Sequence, residues 1–240
     1  YQGEPAVAFD GTNYLVVWYD ERNGGSDIHG ARVTQDGTVL DTAGIALVSD
    51  SAGQAAPAVA YDGANVLLIW GDARNDMGDI YGARVSSDGT LLDSAGFVVS
   101  AAPSLQHSPA IAIGVDEALV VWEDLRGGLD TDIYGARITR DGEVLDTAGF
   151  AIATSSWYEF DPKATFDGTR YLVVWTDAIA HGIVFGGRVA TDGSVIDTLG
   201  FFISQGGEYA GSPAVTFDGV YNEVAWTDVR AGMADFSVSV

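Results

Sequence analysis

Apolar and polar positions along this chain follow one pattern five times over. Each unit opens with a short apolar run that ends in Asp-Gly, as in Pro5-Ala6-Val7-Ala8-Phe9-Asp10-Gly11. The run returns at 57–63 and, in looser form, at 109–114, 162–168 and 213–219. A second run follows that is apolar at every position, Leu15-Val16-Val17-Trp18 in the first unit, and its tryptophan recurs as Trp70, Trp122, Trp175 and Trp226 at intervals of 52, 52, 53 and 51 residues. Asp-Gly between apolar runs signals a hairpin, because the turn needs positive φ. A strand apolar on both faces must be covered on both sides. In the first unit the pattern predicts strands over 6–9, 14–22, 27–34 and 45–49, with 38–41 continuing outward from the third. A period near 50 built of short strands predicts an all-β fold, a five-bladed β-propeller with about four antiparallel strands per blade. We read 1–240 as a single domain with repeats near 1–50, 51–100, 101–154, 155–204 and 205–240. The fifth repeat stops within its third strand, with Val240 where the first has Arg32, so its blade is expected to be one strand short or part of a longer array.

The repeats also carry charge at fixed places. Trp18, Asp20 and Arg22 alternate and so share one face of their strand. The same triplet recurs as Trp70/Asp72/Arg74, Trp122/Asp124/Arg126 and Trp226/Asp228/Arg230. The fourth repeat keeps Trp175 and Asp177 but has Ile179 in the arginine position, and Ile183 where the third strand otherwise starts with Asp27, Asp79, Asp132 or Asp235. Arginine and aspartate vanish together, which predicts a cross-strand pair such as Arg22–Asp27. The third-strand arginines Arg32, Arg84, Arg137 and Arg188 lie on the opposite face by parity and are expected to reach a neighbouring blade.

The run Pro-Ala-Val-Ala-Tyr-Asp-Gly, then Trp-x-Asp-x-Arg, then Asp-Ile-Tyr-Gly-Ala-Arg-Val, Asp-Gly and Leu-Asp-x-Ala-Gly resembles repeats of large secreted or surface proteins of environmental and marine bacteria. The resemblance covers nearly the whole chain. It implies a propeller in an extracellular or cell-surface setting, and brings no activity with it. The signatures of WD40, kelch and sialidase repeats are missing.

Composition narrows the partners. There are 34 acidic residues against 11 basic ones, a formal net charge of −23, and Lys163 is the single lysine. With most arginines locked into the repeat, no basic patch remains for nucleic acid or anionic membrane. The acidic balance suits a saline habitat or a secreted protein. No apolar run approaches the roughly 20 residues of a membrane helix. The start shows no signal peptide, so the chain is expected to be mature or excised from a longer protein. Cysteine is absent, which excludes a disulfide framework and thiol chemistry.

Functional residues are sought where the loops around the channel mouth depart from the repeat. The fourth repeat departs most: its entry linker carries Trp157, Tyr158, Glu159 and Asp161, and its second loop carries His181. Other linkers offer Gln2 and Glu4, Gln106 and His107, Glu208 and Tyr209. Aromatic faces beside carboxylates and amides are what sugar binding needs. The favoured function is therefore a non-catalytic extracellular binding or scaffold module, with carbohydrate ahead of another protein as partner. One alternative is a glycoside hydrolase with Glu4, Glu159, Asp161 and Glu208 as candidate acids and bases. The other is a structural spacer of a larger surface protein. No cofactor is predicted. Calcium enters only through the acidic loops 20–27 and 124–132, which lack EF-hand ligand spacing. His29, His107 and His181 lie in different repeats, which does not predict a zinc site. His29 replaces Tyr81 and Tyr134 of other repeats and is expected to pack.

Overall fold

The computed structural model describes residues 1–75, 77–128, 130–179, 182–204, 209–230 and 233–239. Apart from a 3₁₀ conformation at Ile179, the described residues form β-strands, turns and loops. Sheet 1 comprises β1 (Gln2–Phe9), β2 (Asn13–Asp20), β3 (Asp27–Thr34) and β4 (Ile45–Val48). Sheet 2 holds β5 (Gln54–Tyr61), β6 (Val66–Asp72), β7 (Asp79–Val85) and β8 (Phe97–Ser100). Sheet 3 holds β9 (Gln106–Ile113), β10 (Glu117–Asp124), β11 (Asp132–Thr139) and β12 (Phe150–Ala153). Sheet 4 holds β13 (Glu159–Phe166), β14 (Arg170–Asp177), β15 (Ile183–Ala190) and β16 (Phe201–Phe202). Sheet 5 has three strands, β17 (Tyr209–Phe217), β18 (Asn222–Arg230) and β19 (Met233–Ser239). All pairings are antiparallel and consecutive, and the fifth sheet has three strands among the described residues.

The continuous apolar runs behave as strands covered on both faces. In β6, Leu68 and Trp70 pack into the core between sheets 1 and 2, whereas Leu67 and Ile69 enter the core between sheets 2 and 3. The same alternation places Trp122 between sheets 2 and 3, Trp175 between sheets 3 and 4, and Trp226 between sheets 4 and 5. Burial of each such side chain is worth about 1.5–3 kcal/mol. His29 packs as expected, buried and stacked 6.4 Å from Trp18. The outward segment after the third strand is shorter than predicted and is held by a single bridge, Val33 to Val39.

The repeated charges pair differently from the prediction. Arg22 does not cross to Asp27; its Nη2 and Nε bind Asp20 two residues back on the same side of the chain. In sheet 2, Asp72 accepts Trp70 Nε1 at 2.8 Å, Arg74 Nε at 2.9 Å and Arg74 Nη2 at 2.6 Å, while Arg74 Nη1 donates to Ala95 O. Sheet 3 repeats this with Trp122, Asp124, Arg126 and Ala148 O. The carboxylate is buried, so it is satisfied by an indole, a guanidinium and a backbone N–H together. The third-strand arginines stay mainly at home: Arg32, Arg84, Arg137 and Arg188 each clasp the aspartate nine residues on, Asp41, Asp93, Asp146 and Asp197, through Nε and Nη2. Two of them also reach the next sheet, Arg84 to Asp141 and Arg137 to Thr191 O.

Candidate functional site

The first strand of every sheet contains the same irregularity. A residue just before a proline adopts the left-handed conformation: Glu4 (φ 50°), Ala56 (φ 50°), Ser108 (φ 51°), Asp161 (φ 54°) and Ser212 (φ 51°). The ladder register shifts at each of these places. Proline cannot donate to a ladder and bars its predecessor from the right-handed helical region, so the pair is expelled as a bulge. Bulges re-aim side chains, and non-glycine residues held at positive φ are strained features that cluster at functional sites.

The bulges converge. A cavity of about 460 Å³ is lined by Glu4, Ala56, Ser108 and Asp161, by Lys163, and by Ala214 of the fifth sheet among others. Side chains of one sheet hold the bulge N–H of the next. Glu4 Oε2 accepts Ala56 N at 2.9 Å, Glu123 Oε1 accepts Asp161 N at 3.0 Å, and Thr176 Oγ1 accepts Ser212 N at 3.1 Å. Ser212 Oγ donates to Asp161 Oδ2 at 3.3 Å. Behind the rim, Glu123 lies 3.6 Å from His107 Nε2, and His107 Nδ1 is 2.9 Å from Ser108 Oγ. Glu123 is buried, and burial pushes its carboxyl above the usual range, with His107 and the Asp161 N–H pulling the other way. Lys163 occupies the position held by Ala6, Ala58, Ala110 and Ala214 in the other sheets, and its Nζ donates to Pro162 O at 3.1 Å.

Of the four acids singled out from sequence, Glu4 and Asp161 line this cavity. Glu159 is buried away from it, and Glu208 lies outside the described residues, as does His181. Gln2 donates to Asp20 Oδ2, and Gln106 is buried with its amide on Ala102 O and Ser104 O, so both tie linkers to strands. His107 belongs to the Glu123 cluster. Trp157 and Tyr158 are each about half exposed, at 49%. Tyr209 is half-buried, its ring close to where Gly182 and Gly211 would each carry a Cβ. The acidic loops 20–27 and 124–132 have their leading aspartates on Arg22 and Arg126. Glu123 was not among the sequence candidates. Its signal is visible in hindsight: the middle residue of Trp-x-Asp is Tyr19, Gly71, Glu123, Thr176 or Thr227, and only the third repeat puts a carboxylate there.

No protein-family model and no curated protein sequence matches the chain. Solved structures do share its fold. A thermostable family-43 glycoside hydrolase aligns with a TM-score of 0.60 at 13% identity, covering 99% of this chain and 88% of its own. An endo-arabinase from Bacteroides thetaiotaomicron aligns at 0.59 and 12% identity, over 98% and 92%. An α-L-arabinofuranosidase from Lactobacillus brevis gives 0.58 at 11% identity, over 99% and 90%. These likenesses establish the fold. They also overturn the expectation of a non-catalytic binding or scaffold module: these three matches are to a glycoside hydrolase, an endo-arabinase and an arabinofuranosidase, which favours the alternative drawn from the acidic residues.

Proposed function

We propose that the protein is a glycoside hydrolase acting on arabinose-containing glycans, with its reaction centre in the cavity where the five first strands meet. The observation that carries this reading is the joining of two sheets by Glu123 Oε1 and the strained Asp161 N–H, with Asp161 itself facing the cavity. Glycoside hydrolysis needs one carboxyl held protonated and one held ionised. Glu123 stands behind the cavity rim with its Oε1 on Asp161 N, and we read it as the general acid, its proton reaching the leaving oxygen through one water. Asp161 and Glu4 are the carboxyl groups that line the cavity. Asp161, held by Ser212 Oγ and its own bonded N–H, acts on the sugar or on the attacking water, and Glu4 holds the facing rim through Ala56 N. Water supplies the hydroxyl to the anomeric carbon; its proton returns to Glu123 where Asp161 has bonded to the sugar, and passes to Asp161 where Asp161 activates the water, solvent then resetting both carboxyl groups.

The finer architecture we read is a closed five-bladed β-propeller, supported by five consecutive sheets whose first strands share one cavity. We read the setting as extracellular and bacterial, from the repeat resemblance and the acidic composition, and carbohydrate as the partner. The test is hydrolysis of p-nitrophenyl α-L-arabinofuranoside and of arabinan. Release of p-nitrophenol or reducing sugar is expected from the wild type. A Glu123→Gln variant should lose about 10²–10⁴ of the rate while melting within a degree or two of wild type.

A further inference from the structure

The fourth sheet buries its carboxylates without the arginine that accompanies them in sheets 1 to 3. In sheets 1 to 3 the first residue of the first strand faces the motif aspartate in register: Gln2 opposite Asp20, Gln54 opposite Asp72, Gln106 opposite Asp124. There an amide faces a carboxylate whose charge is cancelled by Arg22, Arg74 or Arg126. Sheet 4 keeps the register and changes both partners. Glu159 replaces the glutamine opposite Asp177, and Ile179 replaces the arginine. The residue across from Asp177 on the third strand is Ile183 rather than aspartate. Where sheets 1 to 3 set two facing aspartates against one arginine, sheet 4 has two facing carboxylates with no cation bound to either among the described residues.

Both groups are out of water, Glu159 at 1% exposure and Asp177 at 6%. Glu159 Oε1 accepts Ser155 N at 2.9 Å and Asp177 Oδ1 accepts Ile179 N at 2.8 Å, so each carboxylate has one oxygen engaged. Glu159 Oε2 is buried without a hydrogen-bond partner. So is Trp175 Nε1, whose counterparts Trp70 and Trp122 donate to their aspartates. The neighbouring charge makes matters worse: Asp132 of sheet 3 is also buried, and the backbone there is tied to Glu159 through Thr131 O. Two unpaired carboxylates cannot be buried together without a counter-charge, since the desolvation penalty is several kcal/mol per ion.

We propose that sheet 4 binds a calcium ion between Glu159 and Asp177, in the place that the arginine guanidinium occupies in the sister sheets. Calcium fits better than magnesium, because it accepts six to eight oxygens in irregular geometry. The free Glu159 Oε2, the second Asp177 oxygen and the Ser155 hydroxyl are hard oxygen donors of the right kind. A ligand water would give Trp175 Nε1 the acceptor it lacks. The site is separate from the cavity and joins the first two strands of sheet 4, so its role is structural.

The competing occupant is a proton, and the experiment separates the two. Chelator-treated protein is melted at pH 8 and fixed ionic strength with and without calcium chloride, alongside Glu159→Gln, which restores the glutamine of sheets 1 to 3, and Ile179→Arg, which restores the guanidinium. At calcium a hundredfold above its dissociation constant, the wild type should gain about 5 °C or more. Both variants should gain less than a fifth of that, and equilibrium dialysis should show one calcium site lost in each. A calcium shift of equal size in all three proteins would mean diffuse binding to the acidic surface and would overturn the proposal. So would a wild type whose melting ignores calcium, since a proton would then be the counter-charge.

Discussion

The inner and outer parts of these sheets follow opposite rules. Toward the outside, Arg32–Asp41, Arg84–Asp93, Arg137–Asp146 and Arg188–Asp197 recur with nearly the same geometry in four sheets. At the inner rim the backbone recurs, with each of these pre-proline residues near φ 50°, but the side chains vary: Glu4, Ala56, Ser108, Asp161 and Ser212 range from methyl to hydroxyl to carboxylate. Repetition of a contact marks what holds the fold. Repetition of a backbone shape with changing side chains marks a frame on which chemistry is mounted. The fourth sheet departs in both respects, carrying Asp161 at the rim and the Glu159–Asp177 pair in its interior.

Substitutions at the two parts should therefore separate activity from stability. The largest effect expected is on turnover: Asp161→Asn should cut hydrolysis about 10²–10⁴-fold with little change in melting temperature, measured on aryl arabinofuranosides. Next comes stability. Asp124→Ala removes the acceptor of Trp122 Nε1 and Arg126 and should cost about 3 kcal/mol in denaturant unfolding. Asp177→Ala, with no arginine to orphan, should cost less than half as much.

The pH response comes third. Burial, with Asp177 and Asp132 nearby, pushes the Glu159 carboxyl up to about 7. Its folded-state value lies above the unfolded one, so the unfolded chain binds fewer protons and stability falls as pH rises from about 4.5 through 7. In chelator the wild type should lose stability across that window, and Glu159→Gln should flatten the slope. The smallest effect is at the outer surface. Asp141→Ala breaks only a long contact to Arg84 from a carboxylate that is 97% exposed, and should shift unfolding by no more than about 0.5 kcal/mol.

How far the sequence could be read depends on which rule governs each residue. The strands and hairpins were legible, because continuous apolar runs broken by Asp-Gly are dictated by burial on both faces. The arginine partners were not. Parity says which face Arg22 and Arg32 occupy, but not whether a flexible side chain folds back to Asp20 and on to Asp41 or crosses to another strand. The rim was half legible. Glu4 and Asp161 stood out as departures from the repeat, yet the bulge before each proline breaks the alternation, so parity could not carry a side chain's direction through it. Glu123 stayed hidden inside a motif read as wholly structural, since Thr176 holds the next bulge N–H in the same way and only the pairing with His107 sets Glu123 apart.

The account rests on the cavity being a reaction centre, and one assay bears on that most directly. Wild type, Glu123→Gln and Asp161→Asn are incubated with arabinan and aryl arabinofuranosides, and released sugar is measured against folded protein confirmed by melting. The account predicts turnover by the wild type and a loss of at least a hundredfold in each variant. A wild type inert on these glycosides, or variants that hydrolyse them as fast as it does, would contradict it.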